Sequence, residues 1–495
     1  MYLLGIDIGT SFIKVSVVNA DDQSIIAAIQ YPETEREIIS LKQDWAEQNP
    51  EQWWEDVKMA IKKANALKLY NTADIKAIGI TYQMHGLVLL DNNKNTLRNA
   101  IIWCDSRAVN VGEEAFKKIG KEKCLIHLLN SPGNFTAAKL AWLKQNEPAL
   151  FEKVHTVMLP GDFINFKLTG EINTSIAALS EGIFWDFKNN ELSKDVFDYF
   201  GFDTNFIPSV QPIFEEHGFL QKNVADEIGL TKGIAVTYKV GDQPNNALSL
   251  NVFNAGEVAA TAGTSGVIYA VDDKLQYDIK SRVNSFAHVN YSSSQKNTGV
   301  LLCINGAGHA NSFIRKKLAA DKSYNYMNEL AATVPQGADG LMILPFGNGA
   351  ERILGNKIVA PAWINYNSII HSNAHIFRAV QEGVAFAFRY GLDIMQENKI
   401  VPTVIRAGQA NMFLSDVFTD AFVNSTGVPV ELYNTNGSVG AALGAAMGKR
   451  IYTSAVEMFQ SFKPVKTIYP SATKIYEEKF QQWNEALTQL LNNTK

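Results

Sequence analysis

Two stretches far apart in this chain repeat one plan. Leu3 to Ile8 is a short apolar run rich in β-branched residues, and Gly9-Thr10-Ser11 follows with turn chemistry. Ile13, Val15 and Val17 then alternate with Lys14 and Ser16, the period of a half-buried strand. Past the midpoint, Ala259-Ala260-Thr261-Ala262 leads into Gly263-Thr264-Ser265-Gly266 and on to Val267-Ile268-Tyr269-Ala270. A strand, a tight turn and a second strand make an antiparallel hairpin. Gly-Thr-Ser is a common turn tripeptide, but matching strands on both sides favour a repeat over chance. The recurrence predicts two domains on a related plan, each opening with a phosphate-sized turn.

The length of 495 residues accommodates two such domains, each with a core of its own. Hydrophobic residues at 46% against 19% charged exclude wholesale disorder. A net charge of −5 carries no basic excess, so nothing advertises nucleic acid as a partner. The cysteines, Cys104, Cys124 and Cys303, lie far apart and form no C-x-x-C pair. They make neither a disulfide framework nor a zinc knuckle and fit a reducing compartment. Met1 runs straight into the first strand with no leader-like segment, and no long uncharged apolar run follows. The expectation is a soluble cytoplasmic protein with no membrane partner.

Between the echoes, helix and strand patterns alternate. Gln52 to about Asn65 carries Val57, Ile61 and Ala64 at helical spacing, while Ile75–Ile80 and Leu87–Leu90 read as strands. Alternation of this kind to the end of the chain favours an α/β class. The domain boundary is expected between Val240 and Glu257, dividing the chain into 1–248 and 249–495. No Pro/Ser-rich linker marks it, so the domains should be closely joined, with a cleft between them suited to a ligand.

Several residues on this frame can carry chemistry. Glycine lets backbone N–H groups approach an anion, and hydroxyls add donors, so Thr10 and Ser11 in one turn and Gly263 and Thr264 in the other could hold phosphates between them. Asp7, just before the first turn, could hold Mg²⁺ through waters. Asp242 in Gly241-Asp242-Gln243 follows apolar Ile234-Ala235-Val236 and Val240, at a strand end before a helix. A carboxylate there can take a proton from an attacking hydroxyl, although helix capping alone would also place an Asp there. In Tyr82-Gln83-Met84-His85-Gly86, Gln83 and His85 offer polar groups suited to a polyol or sugar, with Met84 as an apolar floor. Asp105 and Arg107 are close enough in sequence to pair with each other. Val404 to Asn411 reads as strand, glycine turn and helix start, a geometry for a nucleotide base or ribose around Gly408 and Asn411, or for any α/β crossover. Gly437–Ala446 is a small-residue helix, whose simplest reading is close packing on a sheet. His371 and His375 lack the Glu of H-E-x-x-H, and no G-x-x-x-x-G-K-[ST] loop is present.

Taken in order, these tracts resemble one family, the FGGY carbohydrate kinases of the actin/hexokinase/Hsp70-like ATPase superfamily. The resemblance rests on Gly5–Ser11, Trp45–Trp54, Gln83–Asp91, Phe135–Leu140, Leu159–Phe163 with Leu168–Glu171, Gly241-Asp242, Gly263–Gly266 and the Gly437–Ala446 helix. It covers nearly the whole chain, and the Gln83–Asp91 tract is most like that of members acting on xylulose. The resemblance implies two ribonuclease-H-like domains around a central cleft, with sugar on the N-terminal side and ATP largely on the C-terminal side. It implies Asp242 as catalytic base in contact with substrate, and Met84 and His85 as sugar contacts. Asp7 and Thr10 would serve Mg²⁺ and phosphate, Gly263 and Thr264 phosphate, and Gly408 and Asn411 the nucleoside. The implied reaction moves the γ-phosphoryl group of MgATP to the 5-hydroxyl of D-xylulose. Kinases for ribulose, rhamnulose, gluconate or glycerol, and a non-catalytic ATP-binding sensor, are the alternatives. The family leaves a homodimer open. Two departures fall on the nucleotide side: Gly349–Gly355 lacks the usual Thr-Pro, and Ala407-Gly408-Gln409 replaces a triple glycine.

Overall fold

The computed structural model describes residues 1–460 and 462–493; residues 461, 494 and 495 of the expected C-terminal half lie outside it. Two large sheets carry the chain. In the first, of six strands, the order is Gly218–Phe219, Ala235–Gly241, Ile75–Tyr82, Tyr2–Ile8, Ile13–Asn19 and Ile25–Tyr31. The Tyr2–Ile8 strand is the pivot. It pairs antiparallel with Ile13–Asn19, which pairs antiparallel with Ile25–Tyr31. On its other side it runs parallel to Ile75–Tyr82, which runs parallel to Ala235–Gly241.

The second sheet, of seven strands, repeats that connectivity. Glu257–Ala262 is the pivot, antiparallel to Gly266–Asp272 and through it to Thr298–Ile304. On the other side it is parallel to Val404–Gly408 and through that to Val430–Tyr433. Asn284–Ala287 and Lys466–Ile468 are added at the edges. The echo of two hairpins thus reflects two sheets of one topology, a doubled α/β plan of the ribonuclease-H-like type.

Parallel strands carry their carboxyl ends to one edge of a sheet, where α/β proteins bind ligands. In the first sheet Ile8 lies opposite Tyr82, and Tyr82 opposite Gly241. The segments that follow, Gly9-Thr10-Ser11, Gln83-Met84-His85 and Asp242, therefore emerge side by side. In the second sheet Ala260 lies opposite Ala407, so Gly263-Thr264 and the chain after Gly408 also emerge together.

The two halves are joined by the small-residue helix, Gly437–Gly448. It packs across the sheet of the N-terminal half. A Cβ on Gly5 would fall 1.8 Å from the Ser438 carbonyl oxygen, and one on Gly79 would fall 1.9 Å from that of Ala441. At Gly448 a Cβ would meet the Thr237 carbonyl at 1.8 Å. Only hydrogen fits at these crossings, so the helix reads as close packing, here onto the partner domain's sheet. Asn436 caps it with its side chain on the Val439 N–H. Among the described residues, no helix is long and apolar enough to cross a membrane.

Candidate active site

The first strand edge builds a hydrogen-bonded wall. Trp103 Nε1 donates to Thr10 Oγ1 at 2.9 Å, and Thr10 Oγ1 donates to Gln83 Oε1 at 3.1 Å. Gln83 Nε2 donates to Gln48 Oε1 at 3.0 Å, which also accepts from Trp53 Nε1 at 3.0 Å. Gln48 Nε2 returns to the Thr10 carbonyl at 2.7 Å. Gln83 is 2% exposed, so its amide is committed to this wall, while the Trp103 indole stays half exposed. Ser11 gives its carbonyl to the Arg36 N–H at 2.9 Å.

His85 lies partly open at the end of this wall, and Met84 is buried against Gly241. The His85 ring meets the rings of Phe135 and Phe286 at centroid distances of 4.7 and 5.3 Å. Phe286 comes from the second sheet, so both halves contribute to this end of the cleft. Burial, with the Lys139 ammonium next in effect, holds the His85 imidazole neutral, its pKa pushed down to about 3.

Asp242 is the first residue of the Asp242–Ser249 helix, and no side-chain cap bond is made there. Burial first, and the neighbouring Asp7 carboxylate second, push its pKa up to about 7. Asp7 is itself raised to about 6 by burial, offset in part by Lys14. A Cβ on Gly437 would lie 2.5 Å from Asp7 Oδ2, so the N-terminus of the crossing helix abuts this carboxylate. Asn245, one turn beyond Asp242, donates Nδ2 to the Gly437 carbonyl at 2.9 Å. The carboxylates of the first sheet and a helix N-terminus of the second half therefore meet at one place. Such a terminus attracts anions.

The second strand edge opens onto a cleft of about 560 Å³. Gly263, Thr264, Gly308, Asn411 and Gln381 line it, with Glu35 from the first half. The His309 N–H donates to the Thr264 carbonyl at 2.9 Å, which ties the turn to the start of the Ala307–Leu318 helix. Gly408 ends its strand, and Asn411 has the left-handed backbone with φ of 53°. The regular helix expected there starts later, at Asp416 after the Ser415 cap, because a short 3₁₀ turn over Asn411–Leu414 intervenes.

Asp105 and Arg107 pair as their spacing allows. Arg107 Nη2 lies 2.7 Å from Asp105 Oδ2 and 2.8 Å from Glu47 Oε1, with the guanidinium 3.8 Å from the Trp45 ring centroid. The Gly349–Gly355 stretch serves both sides of the cleft. Glu351 accepts the N–H groups of Asn305 and Gly306 at 2.9 and 2.8 Å, just before the Ala307–Leu318 helix. Arg352 donates Nη1 to Asn284 Oδ1 at 2.8 Å, and its charge reaches His85 and Cys303.

Residues 2–249 match the N-terminal domain, and residues 258–448 the C-terminal domain, of the FGGY family of carbohydrate kinases. The chain belongs to that family. Kinases of this family act on a sugar and ATP. A xylulose kinase from Bacillus subtilis is 29% identical to this FGGY kinase over 97% of the chain and 94% of its own length. A xylulose kinase structure from Rhodospirillum rubrum covers 99% of both chains with a TM-score of 0.87 at 24% identity. A glycerol kinase with ADP from Plasmodium falciparum reaches 0.89 at 19% identity, covering 99% of this chain and 98% of its own. Likeness at such identity carries the fold and leaves the sugar to the site.

Residue types alone left several groups around this site unnoticed. Glu181, which accepts the His85 backbone N–H, and Gln48, Trp103 and Phe286 come from distant segments and join the site only through folding. For Lys139 a signal existed: a lysine between Ala138 and Leu140 in an otherwise buried helix has to find polar partners.

Proposed function

We propose that this FGGY kinase transfers the γ-phosphoryl group of MgATP to the 5-hydroxyl of D-xylulose, giving D-xylulose 5-phosphate and ADP. The observation that carries the reading is the place of Asp242, a partly buried carboxylate of raised pKa that directly follows Gly241, against which Met84 packs. The names of relatives that match nearly the whole chain supply the ketose.

In this reading Asp242 takes the proton of the sugar hydroxyl as its oxygen attacks the γ-phosphorus, and the bond to the β–γ bridging oxygen breaks toward ADP. A carboxyl with a pKa near 7 is matched to that exchange at neutral pH. Met84 forms the floor and His85 and the Trp103–Thr10–Gln83 wall the sides of the sugar subsite. The backbones of Gly9-Thr10-Ser11 and Gly263-Thr264 face the phosphates, and Gly408 and Asn411 the nucleoside.

Mg²⁺ fits the donor set. Asp7 is a partly buried carboxylate whose pKa is raised, and a cation beside it would offset the repulsion from Asp242. Among the described residues there is no cluster of three metal-ligating side chains, which suits an ion held by one carboxylate, waters and phosphates. Bound there, Mg²⁺ would supply charge neutralisation at the phosphates. The Asp7–Lys14 side and the Gly437 helix terminus orient what binds.

The decisive experiment is ADP release against D-xylulose, L-xylulose, D-ribulose, L-ribulose, rhamnulose, gluconate and glycerol. Preference for D-xylulose, abolished by Asp242→Asn with ADP affinity retained, is the expected result. Preference for another sugar overturns the substrate but keeps the base. Full turnover in Asp242→Asn overturns the base.

A further inference from the structure

We infer that Glu181 and Lys139 are positioning residues that hold His85 as one neutral tautomer, so that its Nε2 accepts a hydrogen bond from a hydroxyl of the sugar. The inference rests on the ketose reading above for the identity of the ligand, and on the protein alone for the tautomer.

Glu181 ends the short Ile176–Glu181 helix and grips His85 twice. Its backbone carbonyl lies 2.9 Å from His85 Nδ1. A carbonyl oxygen can only accept, so the proton must sit on Nδ1. Its side-chain Oε2 accepts the His85 backbone N–H at 3.1 Å, while Oε1 is anchored by the Tyr82 hydroxyl at 2.7 Å. From the other side, Lys139 Nζ donates to the His85 carbonyl at 2.9 Å and to that of Ile102 at 2.9 Å. His85 has φ of 62°, a left-handed backbone rare for a residue other than glycine. Its N–H, its C=O and its ring are each held, so the strained backbone is fixed by the surroundings.

The ring is neutral, and with Nδ1 protonated Nε2 carries a lone pair. Among the described residues no group hydrogen-bonds Nε2, and the side chain is 15% exposed. An acceptor of this kind selects a donating hydroxyl. A substrate carboxylate would meet a second lone pair there, which separates a ketose from an aldonate. Neither positioning group can do this itself: the Glu181 side chain is 2% exposed and Lys139 is 0% exposed.

The test uses the sugar that the panel identifies for the wild type, so a change of substrate and a failure of this inference stay separate. KM, kcat and ADP affinity are measured for Glu181→Ala, Glu181→Gln, Lys139→Met, His85→Ala and the Glu181→Ala/His85→Ala double variant. Glu181→Ala is expected to raise the sugar KM roughly tenfold with ADP affinity unchanged, the cost of freeing one buried hydrogen bond to the His85 N–H. Glu181→Gln, which still accepts the His85 N–H, should recover most of that. In the His85→Ala background Glu181→Ala should add nothing further, since its side chain holds the His85 backbone and reaches the sugar only by way of the ring. In ¹⁵N-histidine-labelled protein, the resonance lost in His85→Ala should report a protonated Nδ1 and a bare Nε2. Should Glu181→Ala fail to fold, Lys139→Met carries the same expectation. An unchanged KM in either, effects that multiply in the double variant, or an Nε2-protonated ring overturns the inference.

Discussion

The two Gly-Thr-Ser turns sit at equivalent corners of two sheets of one topology, yet their surroundings differ. In the first, the Thr10 hydroxyl is held between Trp103 and Gln83, and the backbone of Ser11 is bonded to Arg36. In the second, Gly263 and Thr264 line an open cleft. The residue two before each turn glycine also differs, Asp7 in one half and Thr261 in the other. The Asp7 member of the Asp7–Asp242 carboxylate pair thus has no second copy at that corner. One backbone plan carries a hydrogen-bonded wall and an acid pair in one half and an open cleft in the other. Shared topology fixes where ligands meet the chain, and the side chains placed there decide which ligand and what chemistry.

The sharpest way to break the comparison is to spoil one turn and ask which ligand is lost. A Cβ at Gly308 would lie 1.9 Å from the Gly263 carbonyl oxygen and 3.5 Å from the Thr264 nitrogen. Both are backbone atoms, so the second turn must shift. Gly308→Ala should weaken ADP binding roughly a hundredfold, for about 3 kcal/mol of displacement. Sugar affinity, read separately by calorimetry, should hold. Loss of sugar binding with ADP intact would assign the open turn to the wrong ligand.

The acid pair gives the next effect. The folded pKa of Asp242 is about 7 against an ordinary 3.8, so the native state keeps a proton that the unfolded chain has lost across that window. Stability from this group is full below pH 3.8 and falls as pH rises through about 7. Asp242→Asn removes the buried charge. It should therefore stabilise the nucleotide-free protein at pH 8 by on the order of 4 kcal/mol, and the gap should shrink to less than half of that at pH 5. Thermal melts of both at the two pH values decide it. A gap of equal size at both would mean that burial of charge is not its cause.

Much of this was legible in the chain itself. The two hairpins, the strand before Gln83 and the helix beginning at Asp242 follow from apolar periodicity and turn residues, and all form. The close-packing helix was legible too, from its run of small residues. That it crosses to the other half's sheet was not, since Gly5 and Gly79 show no sign of their partner until the chain is folded. Glu181 stayed hidden for a different reason. Its role depends on a carbonyl and a carboxylate meeting a histidine 96 positions away in sequence, a contact that no local period encodes. The regular helix after Gly408 was placed too early because Gly-Gln-Ala-Asn reads as a helix start, whereas Ser415 provides the side-chain cap.

The smallest effect tests whether the first turn's side chain belongs to the sugar. Thr10→Val keeps the shape and removes the hydroxyl, leaving Trp103 Nε1 and Gln83 Oε1 without their shared partner. Gln83 is buried and pays for its unmade bond, whereas the half-exposed Trp103 can turn to water. The wall therefore loosens without collapsing. A loss of about 1 kcal/mol in sugar affinity, several-fold in KM, is expected, with ADP affinity and kcat little changed. If instead ADP affinity falls and the sugar KM does not, the hydroxyl of Thr10 serves phosphate, the role proposed for the second turn, and the two turns are functional as well as topological copies.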